Sequence, residues 1–294
     1  LMVQVADQER LTGVPFLDVG QAGNWSHPPG DTILLQGAFN RIAIGLVYRL
    51  RDFTSSKLNG LTLFCGPEGC DSGARMHLDA LERGDPFGGH LGRQQPVLVI
   101  PLADDQSQLL SSASFDAVQL SAEAATGDGP SLADNPDYQA AVRAILAQGV
   151  LRQGHFLDAG AIGPAMPALD LTAVPQLPEE LEPLLYYNLV AISESEDADG
   201  LLATVTLVYQ RPEFAEAAAG ALETRLGTYI TLRRNEPLTG ILEARGATFS
   251  VTAFEDAETG LGVTQIAFTG PEDAHLYQLL MTSLYARDLG WLAL

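Results

Sequence analysis

The stretch Lys57-Leu58-Asn59-Gly60-Leu61-Thr62-Leu63-Phe64-Cys65 gives the clearest indication of the fold. Asn59 and Gly60 are the residue types that accept the positive φ angles of a tight hairpin turn. The run from Leu61 to Phe64 is short and apolar, as a buried strand requires. Because such a turn joins antiparallel neighbours, the stretch predicts strands paired in this way.

Cys65 and Cys70 are the only two cysteines among the 294 residues, and a four-residue Gly/Pro turn separates them. A disulfide between them would hold the turn and would indicate an oxidising compartment. A zinc site with His77 and perhaps His90 is a second interpretation, although a clear fourth ligand is missing. Two free thiols are the third. We favour the disulfide.

Similar patterns in the first half predict further strands and one helix. The helix covers residues 41–50, with Ile42, Leu46 and Leu50 on one face. The predicted strands lie at 32–37, 61–64, 96–101 and 107–111.

A further helix is predicted toward the end of the first half, where residues 131–149 give the clearest local pattern in the chain. Asp134 or Asn135 can cap a helix that starts at Pro136, keeps apolar spacings of three and four, and closes at Gly149. Hairpins are predicted at 186–209 and 247–268, and helices at 212–229, 238–244 and 273–289. The mixture predicts an α+β fold of antiparallel or mixed sheets, with helices packed on one face.

A stretch rich in Pro and Gly between residues 158 and 185 predicts the domain boundary, because it can sustain neither a helix nor an internal strand. We therefore expect two halves of similar size: residues 1–158 and 186–294, with 159–185 as a linker. A weak internal duplication is compatible with the element order, but no residue-level repeat supports it.

The net charge of −21, from 37 acidic against 16 basic residues, argues against nucleic acid as a partner. Nucleic-acid affinity depends largely on Lys and Arg neutralising phosphates, and an anionic membrane surface is disfavoured for the same reason. No stretch approaches the roughly 20 apolar residues of a transmembrane helix. Since the chain opens on Leu1 without a basic region, we expect any signal peptide or lipid anchor to precede it.

No catalytic, metal-binding or nucleotide-binding motif stands out, so no cofactor and no metal are predicted. The glycine-rich loop with Gly88, Gly89, His90 and Arg93 is a candidate for binding an anion through backbone amides and the guanidinium, although a structural loop that needs glycine conformations is the favoured interpretation. The apolar C-terminus is a candidate contact with a partner or a second copy, or docks onto its own domain. Its candidate residues are Trp291, Leu292 and Leu294.

Several segments together resemble a group of bacterial proteins that are generally predicted to be exported, many of them as lipoproteins. The resemblance lies in the runs 59–65, 68–70, 85–93, 131–138 and 284–292. It covers most of the chain and implies an extracytoplasmic location. It implies no activity, because none is established for the group.

These observations favour a non-enzymatic extracytoplasmic protein that acts as an accessory or interaction subunit of a cell-envelope or surface assembly. Other envelope proteins, or a second copy of the chain, would be its partners. The alternative is a small-ligand-binding protein with a cleft between the two halves. An unusual hydrolase is a third hypothesis, because carboxylates that converge only in the folded chain leave no spacing pattern.

Overall fold

The computed structural model describes residues 8–27, 30–67, 69–70, 87, 95–158, 184–198 and 200–292. The chain divides into two compact units, Leu1–Ser131 and Leu132–Leu294. Each unit is built on one antiparallel sheet that carries helices, so the predicted α+β class is confirmed.

The sheet of the first unit has six strands in the spatial order β1-β2-β6-β5-β4-β3. Asn59 and Gly60, at φ angles of 50° and 80°, form the predicted tight turn between β3 and β4. The strands are β1 Val19–His27, β2 Gly30–Gly37, β3 Thr54–Leu58, β4 Leu61–Cys65, β5 Val97–Pro101 and β6 Ser107–Ser112; the helices are α1 Arg41–Leu50 and α2 Phe115–Thr126.

The first unit has a hydrophobic core on each side of its sheet, because successive side chains of a strand point to opposite faces. Phe64 and Val97 belong to the face that packs against Ile44 of α1. Leu98 belongs to the opposite face, which packs against Val118 of α2.

The sheet of the second unit has five strands in the order β10-β11-β9-β8-β7. The strands are β7 Val150–Asp158, β8 Leu189–Asp197, β9 Gly200–Tyr209, β10 Thr248–Glu255 and β11 Gly262–Thr269; the helices are α3 Pro136–Leu146, α4 Pro212–Thr228, α5 Leu238–Glu243 and α6 Leu276–Tyr285.

In this unit too, helices lie on both faces of the sheet rather than on the single face that the sequence predicts. Ile145 of α3 packs with Val208 on one face. Leu222 of α4, Leu242 of α5 and Leu280 of α6 share the larger core of the other face.

The boundary between the units lies after Ser131, and the prediction of a boundary within 159–185 is wrong. Strand β7 pairs with β8 along its whole length, so the chain on both sides of the Pro/Gly-rich stretch belongs to one sheet. That stretch connects two neighbouring strands of the second unit. Residues 159–183 themselves lie outside the described residues.

Four strands of each sheet follow the same order, which bears on the possible duplication. In each unit the second strand of one hairpin pairs with the second strand of another, giving β1-β2-β6-β5 and β8-β9-β11-β10. The helices do not follow this correspondence, because α1 and α2 lie on opposite faces whereas α4 and α6 share one. The likeness is therefore one of strand order alone.

Helix α1 presents its predicted apolar row to solvent. Ile42, Leu46 and Leu50 lie on one face as predicted, but their exposed fractions are 85%, 58% and 76%. The opposite face, with Ile44 and Tyr48, makes the contacts with the sheet. The row is therefore a surface feature of the first unit and contributes nothing to its core.

An ion pair attaches α3 to the turn between β10 and β11. Arg143 donates from Nε and Nη2 to the two carboxylate oxygens of Asp256, at 2.8 and 2.7 Å, and from Nη1 to Glu258 at 2.8 Å. The hydrogen bond from Arg143 holds the pKa of Asp256 well below its usual range, against the opposing effect of burial. A bidentate pair of this kind fixes geometry as well as adding energy.

We expect Arg143→Gln to lower the thermal midpoint near neutral pH, and to lower it progressively less in acid. The depressed pKa of Asp256 contributes stability above the unfolded carboxylate value of about 3.9, and this contribution is lost as the pH falls toward the folded-state pKa. Thermal unfolding, followed by circular dichroism at several pH values, measures this difference in midpoint between the variant and the wild type.

The control for this prediction is Arg152→Gln. Arg152 pairs with Glu196, but the two side chains are 57% and 41% exposed, and such surface pairs contribute about 0–1 kcal/mol. Equal losses in the two variants, or a loss in Arg143→Gln that does not depend on pH, would contradict the prediction.

Candidate functional site

Cys65 and Cys70 form a disulfide, which decides among the three interpretations of the pair. Cys65 is buried at the end of β4, and the amide of Gly69 donates to the carbonyl of Gly66 at 2.9 Å within the bridged turn. Because both sulfurs are bonded to each other, neither is a thiolate ligand for zinc. The disulfide is therefore a structural feature.

The C-terminal segment docks onto its own unit, so Trp291 and Leu292 are not available to a partner. Their exposed fractions are 1% and 0%, and both belong to the larger core. Tyr187 donates its hydroxyl to the carbonyl of Leu292 at 3.0 Å, and buried Arg225 donates to that of Trp291 at 3.3 Å. The prediction of an interaction contact is wrong for these two residues, and Leu294 lies outside the described residues.

The buried carboxylate of Asp288 organises the surface above that core. One oxygen accepts hydrogen bonds from the hydroxyl of Tyr229 at 2.7 Å and the amide of Leu232 at 2.8 Å. The other accepts from the amide of Arg233 at 3.2 Å. Burial, and then the hydrogen bond to Asp288, raise the pKa of Tyr229.

This arrangement also explains why the last helix is shorter than predicted. The sequence predicts a helix over 273–289, whereas α6 covers Leu276–Tyr285. His275 and Arg287 adopt left-handed φ angles of 49° and 55°, which interrupt the helix at both ends. The break after α6 brings Asp288 back against the turn that follows α4.

A cavity of about 320 Å³ lies at this junction, entirely within the second unit. Three segments line it: the turn after α4, the C-terminal end of α5, and α6 with its flanking residues. The charged and polar side chains that line it include Arg233, Arg234, Arg245, His275, Thr282 and Asp288. The volume lies at the lower end of the range for small-molecule sites, about 300–1,000 Å³.

The charge of this cavity is opposite to that of the whole chain. Three arginines line it against one carboxylate, although acidic residues outnumber basic ones 37 to 16 overall. Across the described part of the chain, none of the three arginines forms an ion pair, whereas Arg143 and Arg152 do. The single carboxylate, that of Asp288, is already engaged by three donors.

Arg245 is held in place by the segment that starts α6. Its Nη1 donates to the carbonyl of Ala274, directly before His275. No side chain caps α6, whose first amides therefore leave positive partial charge at this end. The guanidinium, the imidazole and the helix terminus together suit an oxyanion.

The loop residues expected to bind a ligand, Gly88, Gly89, His90 and Arg93, lie outside the described residues. Sequence reasoning did not identify the cavity, whose cations come from three separate segments. One signal was present, because Arg233 and Arg234 form the only adjacent pair of arginines in a strongly acidic chain.

No protein-family model, curated protein or solved structure matches this chain. None of the helices in the described ranges combines the length and apolarity needed to cross a bilayer. Within the same ranges, no three His, Cys, Asp or Glu side chains are grouped so as to hold a metal ion.

Proposed function

We propose that the chain is a non-enzymatic extracytoplasmic binding protein whose second unit takes up a small anion in the arginine-lined cavity. The observation that supports this most is the convergence on one cavity of Arg233, Arg234 and Arg245, none of which has an ion-pair partner among the described residues. Guanidinium groups bind carboxylates and phosphates through paired, charge-assisted hydrogen bonds.

Binding is favoured over catalysis by the state of Asp288. A general base must lie within reach of the proton that it takes up. The carboxylate of Asp288 is 4% exposed and accepts from Tyr229 and from two backbone amides, which makes it a structural acceptor. The proposed cavity lies within one unit and replaces the cleft between halves that the sequence suggests.

The experiment is a calorimetric titration of the whole chain with citrate and with inorganic phosphate. We expect saturable binding of at least one of them, weakened by added salt. Arg245→Gln should reduce the affinity of the protein for the bound anion about tenfold or more, since a hydrogen bond to a charged group contributes about 1.5–3 kcal/mol.

Arg211→Gln is the matched control, because Arg211 lies in the same unit but stacks on Phe214 outside the cavity. Its affinity should equal that of the wild type. An equal loss of affinity in both variants would contradict the proposal, as would absence of binding for citrate, phosphate and simple aliphatic carboxylates alike.

The extracytoplasmic part of the proposal is supported by the disulfide. Disulfides persist in oxidising spaces and are rare where thiols are kept reduced. For the chain isolated from its native host, we expect non-reducing mass spectrometry after thiol alkylation to find Cys65 and Cys70 bridged and unmodified. Two alkylated cysteines in freshly extracted protein would count against this location.

Self-association is a second candidate property, in keeping with the expected role as an interaction subunit, and the exposed face of α1 favours it. Strand β3 lies next to α1, and among the described strands it pairs with β4 alone, which leaves its other edge for a partner strand. A second copy related by a two-fold axis could pair with this edge and cover the apolar row. The two elements contain Arg41, Arg49 and Lys57 but no carboxylate, so they contribute none of the acidic excess of the chain.

Sedimentation equilibrium tests this second candidate. We expect a wild-type dimer that Leu46→Asp converts to a monomer, because the substitution places a charge in the middle of the apolar row. Leu120→Asp on α2 is the control, since Leu120 is similarly exposed on another helix, and it should leave the dimer intact. A monomeric wild type over the whole concentration range would exclude this contact.

A further inference from the structure

The cavity follows the length of α6. Its lining residues His275, Leu279, Thr282 and Ala286 recur at spacings of three and four, and therefore lie along one side of the helix. A helix of this length, Leu276–Tyr285, extends roughly 15 Å. The cavity is therefore an elongated groove whose two ends can be distinguished.

Each end of the groove has its own arginine. At the N-terminal end of α6, Arg245 is bonded to the carbonyl of Ala274. At the C-terminal end, the amide of Arg233 is bonded to Asp288, which places this arginine beside the end of the helix. The fold thus attaches the two arginines to opposite ends of one helix, Arg245 through its guanidinium and Arg233 through its backbone.

The stretch between the two ends is uncharged. Leu279 and Ile241 supply apolar surface there, beside the neutral polar side chains of Gln278, Thr282 and Ser283. An uncharged stretch with apolar surface favours a ligand with a hydrocarbon segment rather than one with continuous charge.

We propose that the ligand is a small extended diacid, with one anionic group for each arginine and an apolar spacer between them. This inference rests on the proposed function, and it specifies the chemical class of the anion. The two ends are not equivalent. The uncapped start of α6 adds positive partial charge at the Arg245 end, whereas Asp288 lies at the Arg233 end.

The experiment titrates the whole chain with succinate, adipate and suberate, and with the monoacids butyrate, hexanoate and octanoate. We expect the best diacid to bind about tenfold or more tightly than the monoacid of equal length, because it makes a second charge-assisted contact. This comparison uses the wild-type protein and does not depend on the folding of any variant.

Two variants assign the ends. Arg245→Gln should weaken both the diacid and the monoacid, whereas Arg233→Gln should weaken the diacid about tenfold and the monoacid much less. Arg211→Gln should change neither. Arg245 is partly exposed and Arg233 is exposed, so we expect both variants to fold. Measurement of their thermal midpoints checks this.

The outcomes separate this inference from the proposed function. If a monoacid or inorganic phosphate binds as tightly as every diacid, or if Arg233→Gln leaves diacid affinity unchanged, the two-ended ligand is wrong while anion binding stands. If neither a diacid, a monoacid, citrate nor phosphate binds, both are wrong.

Discussion

The three hydrogen bonds to the carboxylate of Asp288 are the interaction on which the candidate site depends. They join the break after α6 to the turn after α4, which are 55–59 residues apart in the chain. A buried carboxylate is costly unless its oxygens are satisfied, so the turn must lie where its amides can reach them. Arg233 and Arg234 belong to that turn, and their position along the groove follows from it.

This arrangement places cations on the surface of a strongly acidic protein without neutralising them. Elsewhere in the described residues, Arg143 pairs with Asp256 and Glu258, and Arg152 pairs with Glu196. In the groove the single carboxylate is directed toward backbone amides and a tyrosine hydroxyl. Under the proposed function, the overall acidity repels polyanions and the groove attracts a small anion, so the two charges together favour small anions over nucleic acid.

The parts of the fold that the sequence predicts are those determined by local patterns. Helix α3 has Asn135 as cap and Pro136 at its first position, and the Asn59-Gly60 turn has the positive φ angles that its residue types accept. Strands β1, β3 and β7 are missed because edge strands are partly solvated and lack clean alternation. The apolar row of α1 shows a further limit, since periodicity identifies a face but not the side that packs. The groove is not predictable in this way, because its cations meet only after folding.

Hydrogen exchange at the amide of Arg233, compared between wild type and Asp288→Asn, tests most directly whether this carboxylate positions the groove. An asparagine retains one acceptor oxygen, for Tyr229 and Leu232, but its amide nitrogen cannot accept from Arg233. In the wild type, we predict slow exchange at the amides of Leu232 and Arg233. In Asp288→Asn, we predict exchange about tenfold faster at Arg233, while the amide of Leu232 stays protected. Exchange at Arg233 that is already fast in the wild type, or unchanged in Asp288→Asn, would contradict the account.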